Sequence, residues 1–370
     1  MALTGAMSAA ISGLKTHMEA LNVVGNNIAN VNTYGYKAQR VTFKESIYNT
    51  LSAGSGGTVA MGGTNPRQIG YGCSIGTIDL DMTTSSLEPT GMPTDCAIKG
   101  DGFFLVGPKD LDISDVNSLK SLTLTRVGNF EFRDGYLTDG QGNVVYGFQT
   151  TVADPAAGGA AGVLPDGADL NVSTDLVPIR LPLKSVGTGT PGQAGYVPPG
   201  DAVYVGVDGT TGKNVDPAAD QVNGYIDYEN LSIDANGKIT CTNKDTGDPV
   251  VVGYIALGSV DNPNGVLHTD GPYYTAGDAA GGLTISTPNS AVIGNLLNGK
   301  MTDGAGNVDP DSALSGKSGV SLLTSFLEQS GTDLATEFSN MIIYQRGYQA
   351  NTRIVSVTDT MLEELVNMKR

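Results

Sequence analysis

Side chains able to do chemistry are few in this sequence, and they are scattered. His17 and His268 stand far apart with no cysteine or second histidine beside either, so spacing completes neither a ligand set nor a nucleophile and its base. Cys73, Cys96 and Cys241 form an odd set without metal-type spacing, compatible with one bridge at most. Cys96 lies near Lys99, where thiol elimination followed by lysine attack would crosslink subunits; this chemistry is allowed rather than indicated. TDGAGNVDPD (302–311) gathers Asp303, Asn307, Asp309 and Asp311 as a calcium loop would. It lacks the terminal glutamate and contains Pro310, which favours a polar hairpin loop. GDGFFLVG (100–107) is followed by no GK[ST] and no helix, so Phe103 and Phe104 read as strand core rather than as part of a phosphate cradle. No catalytic, cofactor or metal site follows from these residues, and an enzyme is not expected.

Composition points the same way. The 370 residues suffice for two or three domains, but only 16% are charged, with 38 acids against 21 bases, a formal charge of -17. That field repels phosphate backbones, and no basic patch offsets it, so nucleic acid is excluded as a partner. The opening MALTGAMSAAISGLKTHMEA has no basic region ahead of a hydrophobic run, so no cleaved signal peptide is expected. No window approaches the roughly 18 apolar residues of a membrane span, so membrane insertion is not expected.

The elements that must position any functional surface lie at the two ends. Met7, Ile11, Leu14, Met18, Leu21 and Ile28 recur at steps of four and three, with Gly25 in the one missing place, which predicts a helix with a heptad seam. Thr332 and Asp333 offer an N-cap to a second helix continuing to Arg370. It carries two apolar stripes, one through Leu334, Phe338, Met341, Tyr348, Val355, Leu362 and Val366, the other through Ile343, Ala350, Ile354, Val357, Met361 and Met368. A helix with two stripes needs more than one neighbour; the first helix can cover one, leaving the other for a partner outside the chain. Two isolated terminal helices are marginal, so both are expected to fray in the monomer and order on self-association.

In NNIANVNTYGYK (26–37) the helix gives way to uncharged amides. Asn26, Asn27 and Asn30 share a face at spacings of three and four, placed to hydrogen-bond a neighbouring backbone without burying a charge. Asn30 or Asn32 is expected to end the helix in the left-handed conformation.

Between the ends the period switches to two. In SLTLTRVGNFEF, Leu122 and Leu124 oppose Thr123 and Thr125, and Phe130 and Phe132 oppose Glu131 and Arg133, as in half-buried antiparallel strands. Asp134-Gly135, Asp139-Gly140, Asp208-Gly209, Asn223-Gly224 and Asn236-Gly237 each suit a tight hairpin. Residues 153–169 and 186–201, rich in Gly, Ala and Pro, read as long surface loops, and 51–72 as an extended or flexible connector.

Taken together, residues 25–37, the stretch YQRGYQANTRIVSVTDTMLEELVNMKR, DCAIKGDGFFLV (95–106) and TRVGNFEFRDGYLTDGQGNVVYGF (125–148) resemble the axial proteins of the bacterial flagellum, the rod and hook family. GYIALGSVDNPNGVL (253–267) and the extra β region are similar to its hook members; the cysteines depart from them. The resemblance implies a structural subunit that builds a flexible helical tube, joins rod to filament and transmits torque. Its partners would be further copies of itself, the distal rod, the hook cap, the hook–filament junction proteins and the flagellar export apparatus. The location would be extracellular, reached by export without cleavage. A rigid distal rod subunit is the near alternative, and a secreted β-rich adhesin or carbohydrate-binding protein the distant one.

The expected fold is α+β and multidomain. Residues 1–32 and 331–370 form a coiled-coil-like helical domain, 33–70 an extended linker, 71–147 and 253–330 an inner β domain, and 148–252 an outer inserted β domain. The assembly interface is expected at Met7, Ile11, Leu14, Met18, Leu21, Asn26, Asn27, Ile28 and Asn30, with Phe338, Met341, Tyr348, Ile354, Val355 and Leu362.

Overall fold

The computed structural model describes residues 2–57, 62–109, 111, 121–151, 171–172, 176–187, 199–203, 222–288, 300–302, 308–313 and 320–368. It divides into two compact units, Met1–Asp81 with Ser330–Arg370, and Met82–Gln329. The architecture is α+β, with a helix at each end and many strands between.

In the first unit, helix α1 (Ala2–Ala29) lies against helix α2 (Leu334–Met368). The face α1 buries runs through Ala10, Gly13, Thr16, Ala20, Val24 and Asn27. These residues are small, so the two backbones approach closely. A Cβ added to Gly13 would sit 2.7 Å from the Asn351 amide nitrogen, and one added to Gly347 would sit 2.6 Å from His17 Nε2. The start of α2 is capped as its sequence predicts: Asp333 Oδ1 accepts from the Ala335 N–H at 3.0 Å, and Oδ2 accepts from the Thr336 hydroxyl. After α1 the left-handed residue is Gly35, at φ 67°, and neither Asn30 nor Asn32 has positive φ. Glycine adopts that conformation without the Cβ clash, and it stands five residues beyond Asn30 and three beyond Asn32.

The stretch 33–70 is not an unpaired linker. It contains β1 (Gln39–Glu45), β2 (Tyr48–Ser52) and β3 (Arg67–Gly70); β1 pairs antiparallel with β4 (Cys73–Leu80), and β2 with β3. Residues 71–81 accordingly belong with the helices. Val41 faces Ile78 and Phe43 faces Ile75 across a register shift, and these β-formers favour pairing, a signal that the intervening glycines obscure.

The second unit is built on an antiparallel sheet. Its main path runs Tyr228–Ile233, Lys238–Asn243, Pro249–Ile255, Val144–Thr151, Phe103–Gly107, Thr123–Thr125, Tyr273–Ala276, Val266–His268. Phe103 and Phe104 are strand core, and Phe104 meets Phe130 edge-on at 4.9 Å. Asp134 (φ 48°) and Gly135 (φ 78°) make the two-residue turn between Glu131–Arg133 and Tyr136–Thr138. Asn223-Gly224 is different: it lies inside the strand Val222–Tyr225, where the register shifts, so its glycine serves an irregularity in a ladder rather than a hairpin. The boundaries expected at 147–148 and 252–253 fall within the paired strands Val144–Thr151 and Pro249–Ile255. Asp208-Gly209, the stretch 153–169, and Asp303 and Asn307 of the acidic loop lie outside the described residues. Asp309 and Asp311 are in the strand Val308–Ala313, which pairs with Lys300–Thr302.

One buried ion pair joins distant parts of this unit. Arg126 Nε donates to Glu328 Oε2 at 3.1 Å, with the two side chains 0% and 1% exposed. Arg126 Nη1 also donates to the Gly100 and Gly102 carbonyls, and Glu328 Oε1 accepts from Ser85 N–H at 2.9 Å. Removing one partner strands a buried charge, whereas neutralising both does not. Arg126→Met is therefore expected to destabilise the unit by about 3–5 kcal/mol, and Arg126→Met/Glu328→Gln to recover part of that loss. Urea unfolding followed by tyrosine fluorescence measures both, since the chain has no tryptophan.

Candidate assembly interface

Asn27 is fully buried, and every hydrogen-bonding position of its side chain is filled within the chain. Its amide donates to the Gln39 carbonyl at 2.8 Å and to Glu337 Oε1 at 3.0 Å. Its carbonyl oxygen accepts from the Tyr36 hydroxyl at 3.0 Å and from the Gln39 N–H at 3.0 Å. One side chain thus ties α1, the turn after it, the start of β1 and the first turn of α2. Asn26 donates to the Tyr36 hydroxyl, Asn30 donates back to Asn26, and Thr33 donates to Asn30. Of the amides predicted to meet a neighbouring subunit, Asn27 is engaged wholly inside the chain, whereas Asn26 is exposed and Asn30 half-buried. The reason is the return of residues 36–39 alongside the helix end, which periodicity within one helix cannot reveal.

Midway along the helix pair, the His17 ring stands 5.7 Å from Phe43 of β1 and 6.2 Å from Tyr344 of α2, and Phe43 and Tyr344 are 5.7 Å apart. His17 Nδ1 is buried without a hydrogen-bond partner, and burial lowers its pKa from the ordinary 6.5. Glu337 Oε2 is likewise buried and unpartnered. Burial raises its pKa above 4.5, opposed by the Asn27 hydrogen bond and reinforced by Asp333.

The predicted heptad seam is a second face of α1, one residue and so about 100° away from the buried one. Along it Ile11 is 38% and Met18 46% exposed, while Met7, Leu14, Leu21 and Ile28 are half-buried. Gly25 has open space around it. On α2, Met341, Tyr348, Val355 and Leu362 are half-buried; Phe338 is 51% and Ile354 45% exposed. Ile343, Val357 and Met361 are exposed with them, as are Ile342 and Leu365, which lie outside either predicted stripe. Ile47, Leu51 and Ile69 on and beside the β2–β3 hairpin are also exposed. A stretch read as a connector gave no reason to look there.

The residues expected to carry other chemistry are placed apart. His268 ends the strand Val266–His268 rather than lying in a loop, and its Nδ1 is 2.7 Å from the Thr269 carbonyl. The three cysteines are free; Cys96 and Cys241 are buried. Burial pushes the Cys241 thiol up to about 11 and that of Cys96 higher still, which leaves neither as a ready thiolate. No group of residues that could hold a metal occurs among those described, and no described helix is long and apolar enough to cross a membrane.

Two family models match the terminal segments of this surface. "Flagella basal body rod protein" covers residues 7–37, and "Flagellar basal body rod FlgEFG protein C-terminal" covers 323–368. The chain is also similar to the flagellar basal-body rod protein FlgG of Bacillus subtilis, 30% identical over 97% of each chain. The chain belongs to the flagellar rod and hook family. It is similar as well to the flagellar hook protein FlgE of Borreliella burgdorferi, 26% identical over 97% of this chain and 98% of that one. To FlgE of Salmonella typhimurium it is 25% identical over 98% and 99%. As a rod and hook family member it is a structural subunit of the flagellar axial assembly, and the helices described above are the parts the family models match.

Two consequences follow for this family member's helical unit. Asn27→Ala strands buried partners on three elements and is expected to cost about 3 kcal/mol or more, read as a lower thermal midpoint. Burial lowers the His17 pKa in the folded chain, so the unfolded chain takes up the proton first; the stability this group contributes is present above the unfolded value of 6.5 and is lost as the pH falls through and below it. Glu337 acts oppositely: the folded chain binds its proton first, and stability declines as pH rises through the window just above 4.5. The drop in thermal midpoint between pH 7 and pH 5 is expected to be smaller in His17→Gln than in the native chain.

Proposed function

We propose that the chain is the subunit of the flagellar hook, polymerising into a flexible helical tube that joins rod to filament and transmits torque. The observation that carries this reading is the division of labour on α1 and α2. Small residues close the intrachain contact, whereas Ile11, Met18, Phe338, Ile354, Val357 and Met361 remain exposed along the helices. Exposed apolar stripes of this kind are covered by copies of the same chain in a tube whose inner wall is helical, with α1 and α2 pairing in coiled-coil fashion. The β region then forms the outer layers, whose glycine-rich and weakly charged surfaces slide as the tube bends. The interface includes the half-buried Met7, Leu14, Leu21, Ile28, Met341, Tyr348, Val355 and Leu362 at its edges.

Its partners on this reading are its own copies, the distal rod, the hook cap, the hook–filament junction proteins and the export apparatus. Export leaves the chain outside the cell without cleavage, and both terminal helices order on assembly. The second reading, a distal rod subunit, is favoured by the 30% identity to a rod protein over 97% of both chains. Complementation separates them: restored hooks in a hookless strain support the first, and restoration only of a rod-deficient strain supports the second.

Ile354→Asp and Met18→Asp change exposed positions, so the monomer is expected to keep its thermal midpoint. Each places a charge in a contact worth about 1.5–3 kcal/mol per buried side chain. Electron microscopy is expected to find hollow curved tubes with the native protein and none with either variant. Normal tubes from both variants would remove this face from the interface.

A further inference from the structure

We propose that α2 of one copy docks on α2 of the next through unlike stripes, the Ile343 stripe of one on the Val355 stripe of the other, with Arg346 and Arg353 paired to Asp359 and Glu363. The inference rests on the proposed self-assembly and names the contact that gives it direction and offset. Both stripes reach the surface: Ile343 and Val357 of the one are 59% and 51% exposed, Phe338 and Val366 of the other 51% and 67%. What distinguishes them is the charge alongside.

On a helix, residues three and four places apart are surface neighbours. Arg346 stands between Ile343 and Ala350, and Arg353 between Ala350 and Val357, so both border the Ile343 stripe. Asp359 stands between Val355 and Leu362, and Glu363 comes three places before Val366, so both border the Val355 stripe. All four are exposed, and none forms an ion pair among the described residues. Their own helix offers them no partner: no acid lies within four places of either arginine, and no base within four places of either acid. Asp359 and Glu363 are themselves four apart, a like-charge pair that weakens an isolated helix. One exposed acid breaks the pattern, Glu364, which borders the Ile343 stripe beside Met361 and Met368.

Where apolar seams meet, flanking charges choose partner and register. Level parallel helices joined through like stripes set arginine beside arginine or acid beside acid, whereas the unlike pairing brings both arginines against acids. The midpoint of Arg346 and Arg353 lies about 11.5 residues before that of Asp359 and Glu363, about 17 Å at 1.5 Å per residue. Parallel helices paired in this way are offset by that distance. The spacings of seven and four differ by about 4.5 Å along the axis, within the reach of long arginine side chains whose planar forks pair with carboxylates. The two patches are different, so the contact is heterologous, and with an axial step it extends into an open filament instead of closing a dimer.

The test is the critical concentration for polymerisation of the full-length protein, measured by sedimentation. The four positions are exposed, so Arg346→Glu/Arg353→Glu and Asp359→Lys/Glu363→Lys are each expected to keep the native thermal midpoint while the critical concentration rises about tenfold or more. That rise is expected to shrink in about 1 M sodium chloride, where the screening length is about 3 Å. In an equimolar mixture of the two variants every contact between unlike copies joins opposite charges, so the mixture is expected to polymerise near the native concentration, as is the chain carrying all four substitutions. The proposal is overturned if either variant alone polymerises at the native concentration, or if the mixture fares no better than its components. A defect in Glu364→Lys with none in Asp359→Lys/Glu363→Lys would also overturn it, since the arginines would then pair along their own stripe. Failure of the native protein to polymerise at all would instead overturn the self-assembly on which the contact rests.

Discussion

The helical unit depends on one side-chain amide holding four partners at once. Asn27 has two N–H donors and an oxygen that accepts twice, and the structure uses all four: Gln39 N–H and carbonyl, the Tyr36 hydroxyl and Glu337 Oε1. The Gln39 pair of bonds imitates a step of β ladder, so β1 begins where α1 ends. The bond to Glu337 fixes the first turn of α2 against the same point. Because these bonds set where the chain leaves the helix, the register of β1 on β4 and the contact of the two helices share one anchor. Aspartate would supply neither donor and would set a second carboxylate beside Glu337; a neutral amide avoids both.

From that anchor the closeness of the two helices follows. Ala10, Gly13, Thr16, Ala20 and Val24 leave room for α2, and Gly13 and Gly347 receive Asn351 and His17 across the contact. Small residues bury little apolar area, so the intrachain contact gains stability from proximity and from polar bonds more than from hydrophobic surface. The larger apolar side chains are left outside. This is the reverse of an ordinary two-helix hairpin, where the largest residues would face inward, and it suits a subunit whose main burial happens on association.

Much of this was legible in the sequence, and the parts that were not share a cause. Two terminal helices, their lengths, the Asp333 cap and the strand pairs around Asp134-Gly135 all follow from local spacing and turn chemistry. The heptad through Ile11 and Met18 is real as a pattern, yet a neighbouring seam of Ala, Gly and Thr wins the intrachain contact. Hydrophobicity scores small residues weakly, although packing prefers them where backbones meet. The partners of Asn27 lie 12 residues away at Gln39 and 310 away at Glu337, beyond any single-element periodicity. Likewise the glycines between residues 51 and 72 hid a hairpin whose strand residues were visible only one ladder at a time.

A subunit of this kind faces a conflict between folding and assembly. A monomer that satisfied every buried group and covered every apolar stripe would have nothing left with which to recognise a copy. Here the polar anchor at Asn27 is complete, and the elements it orders keep incomplete features: exposed Ile354 and Met361 on α2, and the buried, unpartnered Glu337 Oε2 in its first turn. An apolar stripe attracts without fixing axial position, because sliding by a turn exchanges one aliphatic contact for another. On the proposed reading the stripes supply attraction between copies, and the amide where α1 ends holds in place the helices that carry them.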